Sequence, residues 1–414
     1  MWTVRARAII AALLLASTAR AATPLSFRAA LERASERAPA VKASERAASL
    51  LEDATAAADP TFTLPAQLQL TGGARLFPDG ARPGLDTTAQ FQQLVPLRPL
   101  GGARRAAMAA ARTAAFARAA EARLAVVERA AHAWVETYFS ERSLALRQRN
   151  LEESRVLTRI ARARLASGLG QPAEHALALA DEAMAETEAL DAEGRVTEAR
   201  VALGSLLALE PEEIALEDSG VPLEVPTPEY VSFAAIVIAQ HPSLARARTY
   251  AESLGREAEH LHAQSGTSLG LGFSAAHEGN GEIVSSALVT LPLAWSTPGR
   301  AETLRARAEA EEAALMRDFE EEEVLRQLRI AVHEHEHTRA VAASAERAVQ
   351  ALRDAYKVAR ALADRGASDL TLATLARQKL LAGEDRALAA RGAVVHANVR
   401  LLALTNALLE GYAR

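Results

Sequence analysis

The stretch Leu64–Gly72, LPAQLQLTG, puts Leu64, Ala66, Leu68 and Leu70 on one side of an extended chain and Gln67, Gln69 and Thr71 on the other. Clean period-two alternation marks a strand with one apolar and one polar face. A second stretch, Leu85–Val95, sets Leu85, Ala89, Phe91 and Val95 against Asp86, Thr88, Gln90 and Gln92. The turn-rich GARLFPDGARPG joins the two, and Pro96, which has no N–H to donate, ends the pairing.

About 200 residues further on, the same order returns. Ser268–Ala275 sets Leu269, Leu271 and Phe273 against Ser268, Gly270, Gly272 and Ser274. HEGNGE turns the chain, Ile283–Leu291 alternates more weakly, and Pro292 closes the pair. Before each strand pair stands a similar opening, LSFRAALERASERAPAV from Leu25 and VSFAAIVIAQHPSL from Val231; after each comes a similar exit, VPLRPLGGARRA and LPLAWSTPGRA. The expected organisation is a first repeat over 22–209, with strands about 62–96 and a helical hairpin about 102–209. A linker over 210–230 leads to a second repeat over 231–414, with strands about 267–292 and a hairpin about 299–410.

The helical runs are too long for an ordinary domain. From Gly102 to Gly168, and from Gly299 to Gly366, about 66 residues pass without a proline, on the order of 100 Å as continuous helix. After each later glycine the chain runs back, over 172–209 and 368–409, so each repeat is expected to hold a long antiparallel hairpin. Val324, Leu328, Ala331, His335, Thr338, Ala342, Ala345, Val349, Leu352 and Tyr356 step by alternating fours and threes, which is a coiled-coil seam.

Residues 1–21 read as a secretory signal, with Arg5 and Arg7 before the apolar run Ala8–Ala16 and the small-residue triplet Ala19-Arg20-Ala21. That run is short of the roughly 20 residues a membrane-spanning helix needs, and no other stretch is expected to qualify. With no cysteine the chain has neither disulfides nor a thiol for a lipid anchor. A net charge of -5 leaves no basic footprint for nucleic acid. Only 4% of the residues are aromatic, and the abundant Ala, Leu, Glu and Arg favour long helices over a large aromatic core.

Four strands, each with one greasy and one wet face, pose a closure problem. Single-chain membrane barrels start at about eight strands, and open sheet edges are intolerable in lipid. If these strands enter a membrane, copies of the chain must combine, and the Gln, Thr, Ser and Asp faces would then line a wet lumen. Gln67, Gln69, Asp86, Gln90 and Gln92 are the expected lumen-facing residues.

With these features in place, the chain resembles the TolC-like outer membrane efflux proteins over essentially its whole mature length. The resemblance is carried by the paired openings and strand exits, by AWVETY at 133–138, by RLASG at 164–168, and by AYKVARALADRGASDLTLATLARQKLLAGE at 355–384. It implies a mainly α fold with membrane β: a homotrimer whose twelve-stranded barrel sits in outer membrane lipid and continues as an α-helical coiled-coil barrel into the periplasm. It further implies a passive duct of a tripartite efflux or type I secretion system, without catalysis or cofactor. Its partners would be a periplasmic adaptor and an inner-membrane transporter of the RND, ABC or MFS type. Carried over by position, the adaptor-docking tips are Arg164, Leu165, Gly168 and Leu169 at the first turn and Gly366, Asp369 and Leu370 at the second. The family often has acids just after the second turn; Leu372 and Leu375 hold those places here and Asp369 is offset, so an acidic gate is not implied.

One motif points elsewhere. His333-Glu334-His335-Glu336-His337 satisfies the H-E-x-x-H pattern of zinc hydrolases, in which two histidines four apart share a helix face. A catalytic zinc also needs a third ligand and an open cleft, and this segment lies inside a heptad run. His333 and His337 are therefore only weak metal candidates. Besides the zinc hydrolase, the alternative to a duct is a periplasmic coiled-coil scaffold whose strands form a small soluble sheet.

Overall fold

The computed structural model describes residues 23–56, 66–75, 84–97, 99–217, 221, 230–266, 268–278, 281–291, 299–365 and 370–408. The expected signal segment, Leu64, Gly366 and Asp369 lie outside these residues.

In chain order the elements are β1 (Thr23–Leu25), α1 (Phe27–Arg37), α2 (Pro39–Ala56), β2 (Gln67–Arg75), β3 (Gly84–Pro96), α3 (Leu100–Ala166) and α4 (Pro172–Leu207). A 3-10 turn (Pro211–Glu213) leads into β4 (Ile214–Leu216), α5 (Tyr230–Gln240), α6 (Pro242–Gln264), β5 (Ser268–His277), β6 (Ile283–Thr290), α7 (Arg300–Asp364) and α8 (Leu370–Leu404). The alternating segments are strands and the proline-free runs are single helices of 67 and 65 residues. Two features were not expected. The openings before each strand pair are helix pairs, split at Pro39 and Pro242. The expected linker over 210–230 also contains β4, which pairs in parallel with β1, Thr23 opposite Ile214.

The chain divides into two compact units, Met1–Lys42, Ala122–His241 and Val324–Arg414 in one, Ala43–Glu121 and Pro242–Glu323 in the other. In the first unit the main core gathers Phe27, Leu31 and Val41 from the opening helices, Val127, Trp134 and Val135 from α3, Leu203 and Leu207 from α4, and Val395 and Val399 from α8. Trp134 anchors it. Its ring meets Phe27 edge-on at 5.3 Å and its Nε1 donates to the Leu25 carbonyl at 3.3 Å, tying the β1 strand to α3. Ser26 caps α1, its hydroxyl accepting from the Ala29 N–H at 3.2 Å.

Along the hairpins, ion pairs run in antiparallel register. Arg200 meets Glu141 and Arg147 meets Glu188 between α3 and α4; Arg353 meets Glu384, Arg391 meets Glu346 and Arg400 meets Glu334 between α7 and α8. Such partly exposed pairs are each worth little and mainly set register. The seam read from the α7 sequence is confirmed by burial. Val324, Leu328, Ala331, His335, Val349 and Tyr356 are buried and the other four members are half-buried.

One expectation is corrected. Thr371–Leu404 within α8 is long and apolar enough to cross a membrane by length and composition. Its alanine-rich surface has another use: Ala373, Ala387, Ala390, Val395, Val399 and Leu401 are buried against neighbouring helices, so the helix is apolar because it packs on several sides.

Candidate channel wall and hairpin tip

The second unit contains a four-stranded antiparallel sheet in the order β2-β3-β5-β6. Its register sorts the side chains. Leu68 stands opposite Phe91, Phe91 opposite Phe273 and Phe273 opposite Ala287, so one row of apolar residues crosses all four strands. The next rows of the other face run Gln67, Gln92, Gly272 and Gln69, Gln90, Ser274, Ser286. Asp86, opposite Gly73, shares that polar face. All five residues read as lumen-facing therefore lie on one side of the sheet, with Leu94, Ala276, Val284 and Leu288 as apolar side chains among them. Two of those four fall on β6, where the alternation is weakest.

Among the described residues nothing covers the apolar face. Leu68 is 69% exposed, Leu70 73%, Ile283 76% and Val289 69%. A water-soluble sheet with one apolar face packs that face on a core, and this one does not. The sheet is also open: β2 and β6 are its edges, and among the described residues no strand lies beyond either. With four strands alternating in direction, the two edges run opposite ways. A second copy's β2 could therefore add to β6 in antiparallel fashion without breaking the pattern.

Sequence reading missed the charged group at the turn end of the polar face. Arg75 Nε donates to Asp86 Oδ2 at 3.0 Å and its Nη1 to Glu278 Oε2 at 3.2 Å, joining β2, β3 and the end of β5. The signal was available, because Arg75 and Asp86 are the only Arg, Lys, Asp or Glu in the four strands. What it lacked was the register that brings Glu278, more than 200 residues away in sequence, beside Arg75.

The first hairpin tip is described in full. Gly168 has φ +74, the left-handed conformation that reverses a chain at little steric cost to glycine. The N–H groups of Leu169 and Gly170 both donate to the Arg164 carbonyl at 2.9 Å, satisfying the end of α3. Pro172 opens α4, and the Glu174 carboxylate accepts from the Gln171 N–H at 3.4 Å. Leu165 is half-buried while Leu169 is 77% exposed. Of the second tip, Gly366 and Asp369 lie outside the described residues and so does the side chain of Leu370; Leu372 and Leu375 are exposed.

Above the tip, Arg377 of α8 is buried in a polar knot the sequence did not disclose. Its guanidinium donates to the Asp181 carboxylate of α4 and to the side chain and carbonyl of Asn150 of α3. Ser154 also donates to Asp181, at 3.2 Å.

The side chains of the H-E-x-x-H segment point different ways. His333 and His337 are exposed on α7, Glu334 pairs with Arg400 at 2.8 Å, and His335 faces inward with its Nδ1 2.8 Å from Asn398 Oδ1. Burial holds the His335 imidazole below its ordinary range. Among the described residues no three metal-ligating side chains converge. A second histidine pair, unremarked in the sequence, joins α3 to α8. His132 Nδ1 and His396 Nδ1 lie 2.8 Å apart, with ring centroids 5.0 Å apart and an interplanar angle of 22°. Burial, with His396 and Arg400 adding to it, lowers His132 to about 4, and burial lowers His396 as well. Glu128 and Glu136 flank the pair at 3.9 and 3.8 Å.

No protein-family model and no curated protein matches the sequence. Solved structures do. The outer-membrane channel OprN superposes with a TM-score of 0.76 at 15% identity, over 92% of this chain and 90% of that one. The outer membrane protein VceC of Vibrio cholerae gives 0.74 at 18%, over 92% and 96%. The open-state MtrE outer membrane channel of Neisseria gonorrhoeae gives 0.73 at 15%, over 92% and 89%. The chain thus has the fold of outer-membrane channels, and the TolC-like resemblance read from its motifs holds at the level of fold.

Proposed function

We propose that the chain is the channel subunit of a tripartite efflux or type I secretion system. It resides in the outer membrane and closes with two further copies into a twelve-stranded barrel. In this reading the helical hairpins continue the duct into the periplasm, a signal over 1–21 is removed before Ala22, and the chain is a duplicated unit of strand pair and hairpin. Conduction is passive; an inner-membrane transporter selects the cargo, and a periplasmic adaptor docks at Arg164, Leu165, Gly168 and Leu169 and at Gly366, Asp369 and Leu370. Gln67, Gln69, Asp86, Gln90 and Gln92 line the lumen.

The observation that carries this reading is the sheet whose apolar face and two edges are left uncovered among the described residues. In water either would invite aggregation; in lipid the face is at home and only the edges need partners. Closure by rotation supplies them, because β6 of one copy and β2 of the next run antiparallel. The shared fold with outer-membrane channels supports the same conclusion.

Membrane fractionation of the expressed protein tests it. The expected result is an outer-membrane, detergent-stable oligomer that dissociates on heating and forms channels in lipid bilayers. Recovery as a soluble periplasmic monomer would establish the scaffold alternative instead.

A further inference from the structure

Arg75, Asp86 and Glu278 form an ion-paired belt at the turn end of the polar sheet face. Together they sum to one negative charge per chain. Glu282, whose carbonyl accepts the Glu278 N–H at 2.8 Å, adds another carboxylate at the same hairpin. No other Arg, Lys, Asp or Glu occurs in the strands, where the polar face otherwise presents mainly Gln, Thr, Ser and Gly, with a few apolar side chains. The belt residues remain reachable by water, with side-chain exposures of 40%, 34% and 32%.

We infer that Asp86 and Glu278, held in place by Arg75, set the charge preference of the strand-lined part of the pore and favour cations over anions of similar size. The inference rests on the channel reading. Twelve strands about 4.8 Å apart and tilted by about 40° enclose a backbone radius of about 12 Å. At an ionic strength of 0.1 M the Debye length is about 10 Å, so a charge projecting from the wall is felt near the axis. Arg75 has two roles here. It neutralises part of the acidic charge, and by bridging three strands it keeps both carboxylates fixed at the wall, where a repeating belt focuses the field.

The experiment is the reversal potential of the purified oligomer in planar bilayers under a tenfold KCl gradient. Wild type is expected to favour potassium. The double change Asp86→Asn with Glu278→Gln is expected to shift the reversal potential toward chloride, and Arg75→Gln to shift it further toward potassium. Thr88→Lys adds a positive charge on the polar face close to Asp86 while leaving all three belt residues intact, and is expected to shift it toward chloride. That variant keeps the test valid if loss of the ion pairs prevents assembly. Channels whose reversal potential is the same for wild type and Thr88→Lys overturn the inference. A folded, detergent-stable oligomer that forms no channels overturns the channel reading itself.

Discussion

Leu68 of β2 and Phe91 of β3 stand opposite each other in register on one face of the sheet, and neither is covered, at 69% and 49% exposure. Their direct neighbours along the same strands, Gln67 and Gln92, are likewise opposed on the other face. The two faces therefore require different solvents. Leu68→Arg should cost about 2–4 kcal/mol at a lipid-facing position, and the oligomer should fail to assemble. Gln67→Arg should assemble normally. Heat-modifiability of the two variants on gels decides it, and equal tolerance would refute the assignment of faces.

At the first tip, Leu169 is the exposed apolar residue next to the Gly168 reversal. It makes no core contribution that Asp would destroy. Leu169→Asp, combined with Leu370→Asp at the second tip, should leave the oligomer and its thermal stability unchanged while weakening cross-linking to the adaptor and reducing export. Undiminished cross-linking and export would place docking elsewhere.

The Arg377 knot makes a separate stability prediction. Removing one partner of a buried ion pair leaves the other charged and undersolvated, at a cost of about 3–5 kcal/mol. Arg377→Ala should therefore lower the melting temperature clearly. Arg377→Ala with Asp181→Ala together should lower it less than the sum of the single changes, because the second removes the orphaned charge. Thermal melts of the four proteins in detergent give the coupling directly.

The His132 and His396 pair predicts acid sensitivity. Both imidazoles have folded-state pKa values below their ordinary one, His132 at about 4. As pH falls below about 6.5, the unfolded chain takes up protons that the folded chain refuses, so stability is lost on acidification and is fully present above that pH. One Nδ1 must also stay deprotonated to accept from the other. Glu128, raised by burial, and the nearby Arg400 and Glu136 complete the surroundings. Because a carboxylate raised by burial acts in the opposite direction as it takes up its proton, the histidine effect is read at the upper end of the range, as pH first falls below about 6.5. The melting temperature of wild type should fall there, and that of His132→Gln should fall less.

Much of the architecture could be read from residue periodicity. Period-two alternation in LPAQLQLTG and its three counterparts depends only on neighbours one and two positions apart, and the α7 seam on neighbours three and four apart. The same holds for the turn at Gly168, where local backbone sterics suffice. Such features are determined by the sequence because the physics that makes them is short-range. Other features depend on which distant segments meet. The pairing of Arg75 with Glu278, of His132 with His396, of Arg377 with Asp181 and Asn150, and of β1 with β4 each joins positions remote in sequence. No spacing rule encodes those contacts; they follow from strand register and from helix rotation in the packed hairpins, which only the tertiary structure decides.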